Sequence, residues 1–203
     1  MTRGRFITLE GGEGAGKSTQ ARLLAERLAA AGLKTHVTRE VGGSPSAEDI
    51  RKLWLADRDE EWDALTELLL IFAARREHLT KTIWPKLDAG TWVISDRFVG
   101  STIVYQGIVM GLGRDKVETL YRMVAEDFQS DLTLLLDVPV AAARERISAR
   151  NLDRYERQPD EFHEKLRQGY LRLAAENPAA WRVIDASQPA ENVSEQIWRA
   201  ASP

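Results

Sequence analysis

Eight residues near the start, Gly11-Gly12-Glu13-Gly14-Ala15-Gly16-Lys17-Ser18, constrain this chain more than any other stretch. They follow a short apolar run, Phe6-Ile7-Thr8-Leu9, and precede an Ala/Leu-rich run that reads as a helix. Gly11, Gly16, Lys17 and Ser18 meet the pattern G-x-x-x-x-G-K-[ST] in full. Glycines without a Cβ let consecutive backbone N–H groups turn inward around phosphate oxygens, and the helix N-terminus behind them adds partial positive charge. Residues Gly11, Gly12, Glu13, Gly14, Ala15, Gly16, Lys17, Ser18 and Thr19 therefore read as a cradle for a nucleoside triphosphate. Lys17 is expected to reach the β- and γ-phosphates and the Ser18 hydroxyl to sit on Mg²⁺.

The rest of the chain supplies the scaffold such a loop needs. Apolar strand-like runs at 5–10, 35–38, 92–94, 132–138 and 181–184 alternate with helical stretches. The longest helix is expected from about 61 to 87, where Leu65, Leu68, Leu69, Phe72, Leu79 and Ile83 form an apolar stripe. Residues 99–113 read as a polar, glycine-containing stretch, and 144–157 as a charged segment with arginine at 144, 146, 150, 154 and 157. Alternating strands and helices imply right-handed βαβ units, hence an α/β fold: a five-stranded parallel sheet with helices on both faces. With 203 residues and no repeat or linker, one domain spanning 1–203 is expected. Ligands of such sheets sit at the carboxyl ends of the strands, where the loop, Arg39-Glu40 and Asp96-Arg97 all fall.

Composition excludes other chemistries. The 28 basic and 31 acidic side chains leave a charge of −3, so no polybasic footprint for nucleic acid stands out. There is no cysteine, which removes disulfides, thiolate metal sites and a cysteine nucleophile. No run approaches the ~20 apolar residues that cross a bilayer, and Met1-Thr2-Arg3 leads directly into a strand, so no membrane partner and a cytoplasmic location are expected.

The loop alone leaves a switch, a motor and a transferase open. GTPase switches read guanine with Asn-Lys-x-Asp, and none of the asparagines here, at 151, 177 and 192, precedes a lysine. Arginines follow several strand ends, and arginine binds phosphate in a bidentate fork, so a second phosphorylated substrate is expected.

At this level of detail the chain resembles the bacterial thymidylate kinases, members of the P-loop nucleoside monophosphate kinases. The resemblance runs over essentially the whole length. It is carried by Phe6-Ile7-Thr8-Leu9-Glu10-Gly11, Thr38-Arg39-Glu40 with Gly42-Gly43, Phe72-Ala73-Ala74-Arg75, Gly90 to Phe98, Tyr105-Gln106-Gly107, Asp131-Leu132-Thr133-Leu134 and Leu152-Asp153-Arg154. It implies a three-layer P-loop NTPase fold and phosphoryl transfer from ATP to dTMP, with Mg²⁺, in a homodimer that serves dTTP synthesis. By the same resemblance Glu13 lies near the metal and the migrating phosphoryl group, Asp96 faces Mg²⁺, and Arg97 holds nucleotide phosphates. Arg39, Glu40 and Arg51 face the acceptor, Arg51 toward its monophosphate, and Arg75 meets the pyrimidine or its phosphate. Thr102 and Gln106 read the thymine edge, and Tyr105 crowds the position of a ribose 2′-OH. Phe72 lies near the base-stacking position but also on the apolar stripe, and Ile71 stands where the family commonly has its aromatic; stacking and core roles are both open. Because the loop has no arginine of its own, a mobile lid at about 144–157 is expected to bring the catalytic cation, through Arg150 or Arg154.

Two departures stand out. Val41 replaces the usual proline after Arg39-Glu40, and Ile108-Val109-Met110 replaces a Gly-rich continuation. The alternatives are a kinase for another nucleoside monophosphate or a deoxynucleoside, or a P-loop protein that uses nucleotide as a switch. A phosphate acceptor with a second pKa of about 6 is largely ionised at neutral pH and needs no general base, in keeping with three scattered histidines at 36, 78 and 163.

Overall fold

Strand β1 (Phe6–Glu10) is buried along its whole length because its two faces meet two different apolar layers. Ile7 and Leu9 point to one side and Phe6 to the other, the period-2 alternation of a strand. The computed structural model describes residues 3–56, 59–147 and 154–203. Its five strands, β1, β2 (Thr35–Arg39), β3 (Trp92–Asp96), β4 (Leu132–Asp137) and β5 (Trp181–Asp185), form one parallel sheet in the order β2-β3-β1-β4-β5. Leu9 pairs with Asp96 on one flank and Leu134 on the other, so β1 sits where the strand order reverses. That crevice, at the carboxyl ends of the strands, is the standard ligand position of an open parallel sheet.

Helices α1 (Lys17–Ala30) and α9 (Ala190–Ala201) cover the Ile7/Leu9 face, with Ala143 of α7 (Val140–Ile147) at its edge. The Phe6 face is covered by α3 (Ala64–His78), α6 (Arg114–Ala125) and α8 (Asp160–Glu176). The three-layer architecture is the expected one. Helix α2 (Pro45–Leu55) begins where the Ser44 hydroxyl accepts from Ala47 N with Pro45 at the first turn, and it packs along α3.

One element differs from expectation. The helix read as one piece from 61 to 87 starts at Ala64, capped by Asp63, whose carboxylate accepts from Leu65 N at 3.0 Å and Thr66 N at 3.1 Å. It then passes through a π-helical turn (Leu79–Ile83) into α4 (Trp84–Asp88). Pro85 has no N–H to give to the residue four back, and the wider turn precedes it. The polar, glycine-containing stretch 99–113 is helical over most of its length: α5 (Val99–Thr102) runs into a π-helical segment, Ile103–Val109. Gly100 and Gly107 serve close packing. A Cβ on Gly100 would lie 2.7 Å from Glu10 Oε1 and 2.9 Å from Trp181 Cη2.

Glu10 is held by hydrogen bonds and cannot yield to such a Cβ. Gly100→Ala is therefore expected to destabilise the protein by about 1–3 kcal/mol, read as a lower urea midpoint at unchanged slope.

Candidate active site

The phosphate loop has the conformation its glycines permit. Gly11, Gly14 and Gly16 have φ of 139°, 72° and 86°, and a Cβ on Gly11 or Gly14 would meet the Leu136 or Ala143 carbonyl oxygen at 2.5 Å. Gly16 caps α1, Ala15 is buried, and Gly12 has open space around its Cα. Lys17 Nζ folds over the loop, donating to Gly12 O at 2.6 Å and Gly11 O at 3.2 Å. Burial and the neighbouring Arg97 both lower its pKa, while Glu13 and Asp96 oppose them, so an arriving phosphate finds an under-compensated cation. Ser18 donates to the Asp96 carboxylate, and Ser18 and Thr19 both face the cavity in front of the loop.

Arg97 lies at the end of β3 with φ 70°, a left-handed value that costs a side-chain-bearing residue energy. Its backbone is fixed by Arg97 N donating to Leu9 O at 2.9 Å and by Ser95 Oγ donating to Arg97 O at 2.7 Å. The guanidinium is aimed across the sheet's crevice, donating to Gly11 O (3.0 Å), Ser101 Oγ (3.0 Å), Tyr170 OH (3.1 Å) and Glu13 Oε1 (2.5 Å). Tyr105 OH also donates to Glu13 Oε1, at 3.0 Å. Burial alone would raise the Glu13 pKa, but Arg97 and Lys17 hold it down to about 2. Glu13 is thus a partner of Arg97 and Tyr105, and the hard oxygens in contact with each other at the loop mouth are those of Ser18 and Asp96.

Loop and strand ends open into one cavity of about 790 Å³ that reaches from Lys17 to Arg75 and Gln106. Arg75, 2% exposed, forms its far end. It donates from Nε to Glu40 Oε2 at 2.7 Å and from Nη2 to Thr102 Oγ1 at 2.9 Å, while its buried Nη1 has no partner among the described residues. Arg51 faces the same space and donates to Val41 O at 2.6 Å, beside a Glu40–Val41 peptide bond that is cis. Arg39 stands at the exposed rim, paired with Glu48 at 2.9 Å. Tyr105, Thr102 and Gln106 line the cavity from the helical segment that follows Arg97.

Phe72 does not reach the cavity. Its ring is 2% exposed in the core, with the Arg75 guanidinium 4.9 Å above it, and Ile71 is the α3 side chain that joins Arg75 in lining the space. One helical position rotates a side chain by about 100°, enough to move it from cavity to core. The arginines expected of the lid are placed as follows. Arg150 lies outside the described residues. Arg154 pairs with Glu67 and, at 3.2 Å, with Glu61, and stacks over Trp54 and Tyr155. Among the described residues of 144–157 the arginine that touches the loop is Arg146, with Nη1 3.5 Å from Gly14 O and Nη2 donating to Ala186 O at 2.9 Å.

A phosphate loop thus faces a buried arginine across one cavity. The family model for thymidylate kinase matches residues 9–197. The chain belongs to the thymidylate kinase family. It is 48% identical to a thymidylate kinase of Afipia carboxidovorans over 97% of this chain and 88% of that one. It is 47% identical to the thymidylate kinase of Chromohalobacter salexigens (97% and 94% covered) and 48% identical to that of Pseudomonas fluorescens (96% and 93%).

Several residues that shape this family member's site were not singled out from the sequence. Glu10 accepts from Ser101 Oγ at 2.6 Å and Phe98 N at 3.0 Å, and Ser101 in turn lies 2.7 Å from Tyr170 OH. His78, fully buried, bridges Thr38 Oγ1 at 2.7 Å and Glu40 Oε1 at 3.0 Å. Glu67 is buried under Gln106. A signal was present: Glu67, Ile71, Arg75 and His78 recur at helical spacing, a second, partly charged stripe beside the apolar one.

Burial pushes the Glu10 carboxyl up to about 7, against the opposing Ser101 hydrogen bond and Arg97 charge. The unfolded chain releases that proton near 4.5. Between those limits the folded state binds more protons than the unfolded state, so this group's contribution to stability falls as pH rises from about 4.5 to 7. Glu10→Gln removes the titration; its Tm relative to the parent protein is expected to improve by at least roughly 4 °C between pH 5 and pH 8. A pH-independent difference would show that Glu10 does not titrate in that window.

Proposed function

We propose that this chain transfers the γ-phosphoryl group of ATP to dTMP, giving ADP and dTDP. The observation that carries this reading is one cavity with a phosphate loop at one end and, at the other, the buried Arg75 Nη1, unpartnered among the described residues. An orphaned buried donor is costly unless a ligand satisfies it. The exocyclic O4 of a thymine ring is an acceptor of that kind, with Arg51 and Arg97 nearer the middle of the cavity for the acceptor phosphate. The Tyr105 hydroxyl, held by Glu13, supports discrimination against a ribose 2′-OH.

In the reaction an ionised phosphate oxygen of dTMP bonds to the γ-phosphorus while the bond from that phosphorus to the β,γ-bridging oxygen breaks, and ADP leaves with the electron pair. The chain contributes positioning and charge neutralisation: the loop N–H groups and Lys17 hold the donor, and Arg97 lies between donor and acceptor. Ser18 and Asp96 offer the hydroxyl and carboxylate oxygens that suit Mg²⁺, an ion bound by one or two carboxylates together with substrate phosphates. Such an ion supplies neutralisation of the donor phosphates. Glu13, in contact with Arg97 and Tyr105, acts by holding both. The lid-derived cation is assigned to the arginines around 144–157, with Arg146 already on the loop.

A homodimer is part of the same reading. Leu65 and Leu69 of α3 and Met123 of α6 are 43%, 50% and 73% exposed on two helices that pack together, which supports a partner on that face. No described helix is long and apolar enough to cross a membrane, in keeping with a cytoplasmic enzyme. Sedimentation velocity is expected to give the mass of two chains; a single-chain mass at micromolar concentration would remove the dimer from the reading.

ADP release coupled to an indicator enzyme, run with dTMP, dUMP, CMP, GMP and AMP, is expected to show turnover with dTMP far above the others. Absence of dTMP-dependent turnover would refute the reading. Arg97→Ala is expected to lower kcat/KM for dTMP by at least about 10²-fold while ATP still binds, because it removes a charge fixed at the reacting phosphates.

A further inference from the structure

Gln106 is 2% exposed, lines the far end of the cavity, and has one side-chain amide with two chemically opposite ends. Its Nε2 donates to Glu67 Oε1 at 2.8 Å and lies 3.5 Å from Tyr155 OH and 3.8 Å from Met110 Sδ. Its carbonyl oxygen accepts no hydrogen bond among the described residues. Glu67 is itself 1% exposed and anchored on both oxygens: Tyr155 OH donates to Oε1 and Arg154 to Oε2. A carboxylate accepts and does not donate, so the end of Gln106 that faces it must be the NH₂. The carbonyl oxygen is then the end left for a ligand.

We infer that Glu67, through Gln106, is a specificity-determining residue that makes the acceptor site select 4-keto pyrimidines over 4-amino ones. This inference rests on the dTMP kinase reading. Thr102 and Gln106 are four residues apart on one helical run, Thr102 accepts from Arg75, and all three line the same cavity, so a donor from Arg75 Nη1 and an acceptor from the Gln106 carbonyl are offered to one ligand. A 4-keto pyrimidine presents the complementary pair, O4 as acceptor and N3–H as donor. Cytosine presents the reverse, an amino donor at C4 and an acceptor at N3. Facing cytosine, a freely rotating Gln106 amide could turn its NH₂ to N3; Glu67 forbids that turn, because two oxygens would then face each other in a buried site. Arg75 reads one atom of the base and Glu67 fixes the reading of the next. Glu67 lies behind Gln106, where it also holds Tyr155 and Arg154, and so it acts as a positioning residue.

The test is Glu67→Gln, nearly isosteric, whose amide can accept from or donate to Gln106 and so frees its orientation. Steady-state ADP release is measured with dTMP and dCMP for both proteins. The expected result is a rise in KM for dTMP and a fall of about tenfold in the dTMP/dCMP ratio of kcat/KM; because any change at Arg154 acts on both substrates alike, the ratio is the decisive readout. In a Gln106→Leu background the same Glu67 change is expected to leave that ratio where Gln106→Leu alone puts it, as coupling through one residue requires. A parent protein with no dTMP turnover refutes the kinase reading itself. A dTMP-selective parent whose Glu67→Gln variant is equally selective overturns the role of Glu67 alone. Should Glu67→Gln not fold, Glu67→Asp withdraws the carboxylate from Gln106 with its charge kept; unchanged selectivity in that variant overturns the inference equally.

Discussion

Arg97 is the point at which the halves of this molecule are fastened together. Its left-handed backbone is tolerated because Leu9 O and Ser95 Oγ bracket it, one from the neighbouring strand and one from its own. From that position one guanidinium reaches the phosphate loop through Gly11 and Glu13, and the helix after β3 through Ser101. It also reaches α8 through Tyr170. The contacts come from three different elements of the fold. The buried positive charge is acceptable only because Glu13 compensates it, and the depressed Glu13 pKa is the same interaction seen from the carboxylate side.

Around this fastening the donor and acceptor ends are built differently. The donor end is backbone: glycines at positive φ, N–H groups and a helix terminus, with Lys17 lying on loop carbonyls that a phosphate must displace. The acceptor end is side chain upon side chain, a continuous hydrogen-bonded path from Thr38 through His78, Glu40 and Arg75 to Thr102. The difference follows from the ligands. Phosphates are alike in every nucleotide and are met by generic N–H groups, whereas a base is distinguished by the direction of each donor and acceptor.

The sequence made the donor end almost fully legible, because a pattern of glycines and one lysine maps directly onto backbone conformation. The order and type of the strands were legible too, since their apolar runs are short and bounded. The stretch 99–113 was not. Ser101, Thr102 and Gln106 are polar because they face buried partners and the cavity, and Gly100 because Glu10 and Trp181 crowd its Cα; in composition this is indistinguishable from a loop. Phe72 and Ile71 show the finer difficulty, where one residue of helical phase separates core from cavity. Arg154 shows another: a run of arginines announces cations, but which one meets a carboxylate such as Glu67 is decided by tertiary placement alone.

The immobility of Arg75 has a consequence for the thermodynamics of acceptor capture. Two flanking hydrogen bonds and the rings of Phe72 and Phe98, 4.9 and 5.2 Å away, leave that side chain one arrangement. A free arginine carries about 2 kcal/mol of rotamer entropy, and here it is surrendered while the chain folds, before any nucleotide arrives. An incoming base therefore meets a donor already aligned, and the ordering cost of recognition is carried by the stability of the empty protein.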